Sequence, residues 1–388
     1  MSKSYAGVAL VAPVTVPYER FSEKSGAWFI AQGLRALLQQ SGLDKQDIDG
    51  LAVSSFSVAP DSAVTLTEQF GTSLRWIEQL PMGGASAVVA VRRAARAIQA
   101  GDADVVACIG GDTAHEDGFR DLVADFSAFS REAVFPYGAA GPNGPFAMIT
   151  RAYMQEYGAT REDFGRICIA QRDNASHNPL ALLRKPLSMD DYLSARTIAD
   201  PLHLFDCVMP CAGAEGFLVM SVERARDIGA DYVQVLSAAE RYNSFPDDPV
   251  QIRGGWALFR DELFEQAGRS ARDMNFLQTY DDYPVIVMMQ LEDLGFCAKG
   301  AGPEFVRNTD LSCGGDLPMN TCGGQLSAGQ AGFAGGYLGM VEAIRQLTDQ
   351  TLGKPVRNAR LGLVSGYGMV NYDRGLCSGA AILARGDS

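Results

Sequence analysis

The stretch Thr279-Tyr280-Asp281-Asp282-Tyr283-Pro284 sets two phenols and two carboxylates side by side, and Tyr367 stands between Gly366 and Gly368. A phenol can donate to a developing oxyanion, and through a neighbouring carboxylate it can take a proton from a hydroxyl. Tyr280 and Tyr367 are therefore the candidate proton-transfer pair, with Asp282 in relay. Gln330, in Gly329-Gln330-Ala331-Gly332, adds a hydrogen-bond donor that cannot accept a proton near neutral pH. Glycines such as Gly329 and Gly332 let the backbone approach a carbonyl closely, so that amide N–H groups can complete an oxyanion hole.

The usual alternative to such proton chemistry is a nucleophilic thiol. The turn Leu80-Pro81-Met82-Gly83-Gly84-Ala85-Ser86 opens an amphipathic helix, where the helix dipole would lower a thiol pKa, yet no cysteine lies between Met1 and Cys108. The eight cysteines are scattered and read as reduced thiols, because Cys207 and Cys211, the only close pair, lack the C-x-x-C spacing. Among the histidines, His115 follows a buried strand at a pocket rim, whereas His177 and His203 read as fold-supporting. No histidine pair has ligand spacing, so no metal is expected.

These groups need a scaffold. The chain has 388 residues, of which 47% are hydrophobic, enough for two core-bearing layers. A net charge of −13 disfavours nucleic acid, whose phosphates demand a clustered positive face. No apolar run approaches the roughly 18 residues of a membrane span, and Met1 to Ala12 lacks the pattern of a signal peptide, so the expected location is the cytoplasm.

The sequence also contains its own plan twice. Residues 30–53 read as a helix, a polar turn and a strand, and residues 263–280 repeat that order. Residues 86–110 give small residues, a helix and the buried run Asp104 to Gly110, and residues 335–368 do the same. The repeat predicts a duplicated α/β domain with parallel strands buried on both faces. Between the halves, the Pro-, Gly- and aromatic-rich residues 115–206 read as an inserted loop domain. The resulting division is 1–114 with 207–228, then 115–206, then 229–388.

Five segments, 100–112, 206–221, 279–300, 316–347 and 360–368, resemble the thiolase superfamily, in the branch of sterol-carrier-protein-type thiolases and thiolase-like lipid-transfer proteins. The resemblance implies the thiolase fold, a duplicated five-layered α-β-α-β-α arrangement. It also implies three catalytic positions, and this chain departs at each. Gly84 stands where the family has its nucleophilic cysteine, Gln330 where it has a histidine, and Gly366 where it has a second cysteine. Tyr280 falls at the residue that helps form the oxyanion hole, and Tyr337 begins the helix behind Gln330.

Members of this branch that lack the cysteine and bear tyrosines resemble acyl-CoA retro-aldolases. They cleave a β-hydroxyacyl-CoA, from a steroid or aromatic side chain, into a ketone or aldehyde plus a shorter acyl-CoA, without a covalent acyl-enzyme. The resemblance implies a coenzyme A thioester as substrate and no permanently bound cofactor. It implies a homodimer formed through the strand Asp104 to Gly110, and a DUF35-type partner with an OB-fold and zinc ribbon. Arg184 and Lys185 are the candidates for coenzyme A phosphates, Gln330 with the Gly329 and Gly332 turn for the thioester oxygen, and aromatics within 125–146 for a bulky apolar pocket. Three other readings stay open: a thiolase or acyltransferase subunit using Cys313 or Cys322, a non-catalytic acyl-CoA-binding scaffold, and a β-ketoacyl-CoA hydrolase.

Overall fold

The computed structural model describes residues 4–116, 118, 131–132, 135–138 and 141–386. The first half runs β1 (Val8–Glu19), α1 (Gly26–Ser41), β2 (Gly50–Ser54), α2 (Ala63–Phe70), β3 (Trp76–Gln79), α3 (Ser86–Ala100) and β4 (Val105–Asp112). An intervening region holds α4 (Asn143–Tyr157), α5 (Arg161–Ser176), α6 (Met189–Ser194), β5 (Thr197–Ala199) and β6 (Leu202–His203). The chain then rejoins the first half with β7 (Ala212–Ser221) and α7 (Val222–Asp227). The second half follows with β8 (Val233–Tyr242), α8 (Trp256–Ala267), β9 (Phe276–Gln278), α9 (Pro284–Asp293), α10 (Gly302–Asn308), α11 (Gly324–Ala328), α12 (Gly335–Leu347), β10 (Leu361–Asn371) and β11 (Arg374–Arg385).

The internal repeat is real. α1 and β2 correspond to α8 and β9, and α3 and β4 correspond to α12 and β10. The strands lie in the order β3-β2-β4-β7-β1-β8-β11-β10-β9, and the strands of the two halves meet where Ala9 and Leu10 pair with Gln234 and Val233. The second half mirrors the first, with its third strand reduced to a bridge between Leu277 and Met319.

α3 and α12 form the middle of five layers. α3 packs on β4 and β7 of one half and on β8, β10 and β11 of the other, while α12 packs on β1, β7, β9 and β10. α1 covers the outer face of the first sheet, and α8 that of the second. The packing explains the composition of these helices: α12 buries 11 of its 13 residues, and α3 buries its valines and most of its alanines while Arg92, Arg93 and Arg96 lie on a partly open side.

Two expectations need correction. The strands are not all parallel, since only β2 with β3 and β4, and β9 with β10, pair that way. β10 and β11 are joined by the tight turn at Tyr372 and Asp373, which permits only antiparallel pairing. The strand after α3 cannot extend the sheet across a two-fold axis, because β4 is flanked by β2 and β7. The first half's open edge is β3.

Candidate active site

The site forms where β9 ends against the first turns of α3 and α12. Tyr280 is held there by a buried side-chain amide that copies a strand partner. Its N–H donates to Gln290 Oε1 at 3.0 Å, and Gln290 Nε2 donates to its carbonyl at 2.7 Å. Ser365 Oγ donates to the same Gln290 Oε1 at 2.7 Å, fixing the clamp to β10.

So held, the Tyr280 ring lies on Gly84. A Cβ at position 84 would stand 1.9 Å from Cε2 and 2.1 Å from Cζ of the ring. The phenol fills the volume that any side chain at residue 84 would need. A side chain at residue 84 and the ring at residue 280 therefore exclude one another.

Asp282 and Gln330 complete the group. Gln330 Nε2 donates to Asp282 Oδ1 at 2.6 Å and to Tyr280 Oη at 3.4 Å, so one amide bridges the carboxylate and the phenol. Burial pushes the Asp282 carboxyl up to about 7, with help from the charge of Asp281 and against the nearby Tyr280 hydroxyl. Burial, and then the charge of Asp282, hold the Tyr280 phenol well above its ordinary range. Near neutral pH the pair is therefore a carboxylate that can take a proton and a phenol that keeps one.

The turn carrying Gln330 is pinned from three sides. Its N–H donates to Met209 O at 3.0 Å, Cys211 N–H donates to its carbonyl at 2.9 Å, and Gly329 N–H donates to Gln325 O at 3.2 Å. Gly332 has φ 53°, and a Cβ there would fall 2.1 Å from Asp112 Oδ2, which accepts from Phe333 N–H at 2.8 Å. The same carboxylate takes hydrogen bonds from Ser55, Phe56 and Ser57. The two glycines let the turn close on its supports, and the amides of Gly329 and Gln330 are spent there. The Gln330 side-chain amide is committed to Asp282 and Tyr280, so it orients the carboxylate rather than waiting for a thioester oxygen.

The other expected residues fall as follows. Asp281 turns away from the site and caps α11, accepting from the N–H groups of Gln325 at 2.9 Å and Leu326 at 3.2 Å. Arg184 and Lys185 are exposed, just beyond Leu182 and Leu183, whose N–H groups donate to Ala328 and Ser327. They leave the fold beside the turn that carries Gln330. His115 and His177 are exposed, His203 Nδ1 meets Ala195 O at 2.6 Å, and the Tyr337 hydroxyl meets Ser54 Oγ at 3.1 Å. Much of 125–146 lies outside the described residues; within it, Phe146 stacks on Tyr283 at 4.0 Å.

Tyr367 is not brought to Tyr280. Positions 366 and 368 face the turn before α3, where Cβ atoms would meet Gly84 O and Met82 O, so strand alternation sends residue 367 to the opposite face. There its ring stacks on Trp256 at 5.4 Å, and its hydroxyl donates to Gln251 at 3.3 Å and accepts from Gly375 N–H. Tyr367→Phe should leave kcat unchanged and cost about 2 kcal/mol of stability, from two buried hydrogen bonds, readable by urea denaturation. A collapse of turnover in a folded Tyr367→Phe protein would restore the expected pair.

The thiols offer no substitute nucleophile. All eight cysteines are free, and burial pushes Cys313 up to about 11 and holds Cys322 well above its ordinary value. Cys313 Sγ already donates to Lys354 O at 2.9 Å.

The chain is similar to known proteins over nearly its whole length. The family described as thiolase C-terminal domain-like matches residues 260–377. The chain is 31% identical over 383 residues to the steroid side-chain-cleaving aldolase of Thermomonospora curvata, covering 94% of this chain and 96% of that one. It is 32% identical over 355 residues to the 17-hydroxy-3-oxo-4-pregnene-20-carboxyl-CoA lyase of Mycobacterium tuberculosis, covering 87% and 91%. A solved Ltp2-ChsH2(DUF35) aldolase superposes with a TM-score of 0.82 at 29% identity, over 98% of each chain. The chain belongs to the thiolase superfamily. Within it, the protein is an aldolase, a carbon–carbon lyase that works without the thiolase cysteine.

Proposed function

We propose that this aldolase cleaves a β-hydroxyacyl-CoA, with a steroid or aromatic side chain as the acyl group, into a ketone or aldehyde and a shorter acyl-CoA. Asp282 takes the proton of the β-hydroxyl, the Cα–Cβ bond breaks as the carbonyl forms, and the electron pair passes to the thioester as an enolate. Tyr280 supplies the proton that returns to Cα and is recharged through Asp282. Gln330 keeps the carboxylate turned to the phenol. The observation that carries this reading is the Tyr280 ring seated over Gly84, in the space of the missing nucleophile, with its hydroxyl linked to the Asp282 carboxyl through Gln330.

The substrate is a coenzyme A thioester met in the cytoplasm, with Arg184 and Lys185 on its phosphates and residues 115–206 over its acyl chain. No resident cofactor is needed, since the proton balance closes on Tyr280 and Asp282. A DUF35-type subunit completes the enzyme, a reading supported by the partner named in the similar solved complex. Two copies meet through the open edge of β3.

The test is mass spectrometry of products from a β-hydroxyacyl-CoA panel, with the co-expressed DUF35-type subunit and with or without iodoacetamide. We expect a carbonyl compound plus a shorter acyl-CoA, at a rate indifferent to alkylation. Cleavage that needs free coenzyme A and stops on alkylation would defeat the proposal.

A further inference from the structure

Behind the loop that carries Tyr280 lies a small cavity of about 10 Å³, its walls including Gln278, Tyr280, Asp281, Asn320, Gln325 and Gly335. Gln278, Asn320 and Gln325 bring side-chain amides to it and are each at most 2% exposed. Each has one side-chain atom with no hydrogen-bond partner: Oε1 of Gln278, Nδ2 of Asn320 and Oε1 of Gln325. Buried polar atoms are rarely left alone, so three around one cavity call for an occupant.

The remaining atoms of these amides set their orientation. Asn320 Oδ1 accepts from Thr279 N–H at 2.8 Å, Gln278 Nε2 donates to Thr321 Oγ1 at 2.8 Å, and Gln325 Nε2 faces Asp281 Oδ1 at 3.4 Å. What is left over is two acceptors and one donor. A cation has no lone pair for the Asn320 N–H, and an anion has no hydrogen for the two glutamine oxygens. Water satisfies all three, giving two hydrogens and taking one. The volume agrees, since a single water needs about 10–15 Å³ of such space.

We propose that this cavity is a built site for one resident water, which ties the end of β9, the loop at Asn320 and the start of α11 into one floor beneath Tyr280 and Asp281. The water is a positioning element: it touches neither substrate nor reacting atoms, and it holds the loop that does. Its kinetic consequence rests on Tyr280 being the proton donor, whereas its presence does not.

The test is therefore made in two arms on the full chain with its DUF35-type subunit. A crystal structure at a resolution that shows buried waters should place a density peak about 2.7–3.2 Å from all three orphaned atoms. Side chains that pair with one another, with no density between them, would overturn the site. Gln325→Met removes one acceptor and fills the space with a methyl group. Its structure should lack the peak, and its kcat should fall about fivefold with KM unchanged, the effect of one lost hydrogen bond on positioning. A variant without the water and with unaltered kcat would overturn the positioning role.

Discussion

Replacing Tyr280 by phenylalanine will lower kcat by about 10²- to 10⁴-fold, the span of general acid–base catalysis, without unfolding the protein. The ring stays on Gly84 and the Gln290 clamp grips only the backbone, so packing is kept and one hydroxyl is lost. Asp282→Asn should fall in the same range for a different reason: it removes the base and leaves the phenol. The two are separated by their pH profiles. Because the Asp282 carboxyl is pushed up to about 7, it is protonated and idle below that pH, so wild-type kcat/KM should rise as pH climbs through about 7. Tyr280→Phe should keep that rise at a lower level, and Asp282→Asn should lose it. Steady-state kinetics over about two pH units either side, with a circular-dichroism melt of each variant, checks the result. Near-normal turnover in Tyr280→Phe, or a flat wild-type profile, would remove the pair from the mechanism.

Stability should move the opposite way with pH. Asp281, Asp282 and Glu215 are all held near 7 by burial, so the folded chain binds protons more tightly than the unfolded one. Their contribution is fully present below the ordinary carboxylate range of about 4 and is lost as pH rises through about 7. The enzyme gains activity over the window in which it surrenders stability.

How far the sequence discloses this site differs from residue to residue. The duplication is legible because both copies keep the order of helix, polar turn and strand. The missing cysteine is legible as an absence at Gly84, but its steric reason is not, since Tyr280 lies nearly two hundred positions away and meets Gly84 only through the fold. Asp282 and Gln330 likewise come together through tertiary packing. Tyr367 misleads because two flanking glycines look like a catalytic loop. They are small because the strand presses on the turn before α3, and alternation then points the residue between them away. Gln290 leaves a signal that composition can reveal: one amide within the wholly buried run Pro284 to Asp293 must be bonding to something. The antiparallel pairing of β4 with β7 is hidden because a long region separates the two strands, whereas that of β10 with β11 follows from the short turn between them.

Placing a side chain on residue 84 should disable the enzyme more surely than removing any cysteine. Gly84→Ala puts a methyl group 1.9 Å from Cε2 of Tyr280, so either the ring must leave or the turn before α3 must shift. Retreat of that turn is opposed by β10, where Gly366 and Gly368 already lie against Gly84 O and Met82 O, and the ring's backbone is clamped by Gln290. The expected cost is about 3 kcal/mol, at the upper end of overpacking penalties. Displacing the phenol by about an ångström should also cost roughly 100-fold in kcat. Gly84→Cys should behave no better and should form no acyl-enzyme, because Gln330 cannot take the thiol proton. Tyr280→Ala is destabilising in its own right, through the cavity it leaves, but it clears the space above residue 84. In that background Gly84→Ala should cost almost nothing, and urea denaturation of the four proteins of the cycle measures the coupling directly. Additive penalties would mean that the ring and the glycine do not share one volume. A coupling close to the whole Gly84→Ala penalty would establish that the tyrosine ring fills the space a side chain at residue 84 would need.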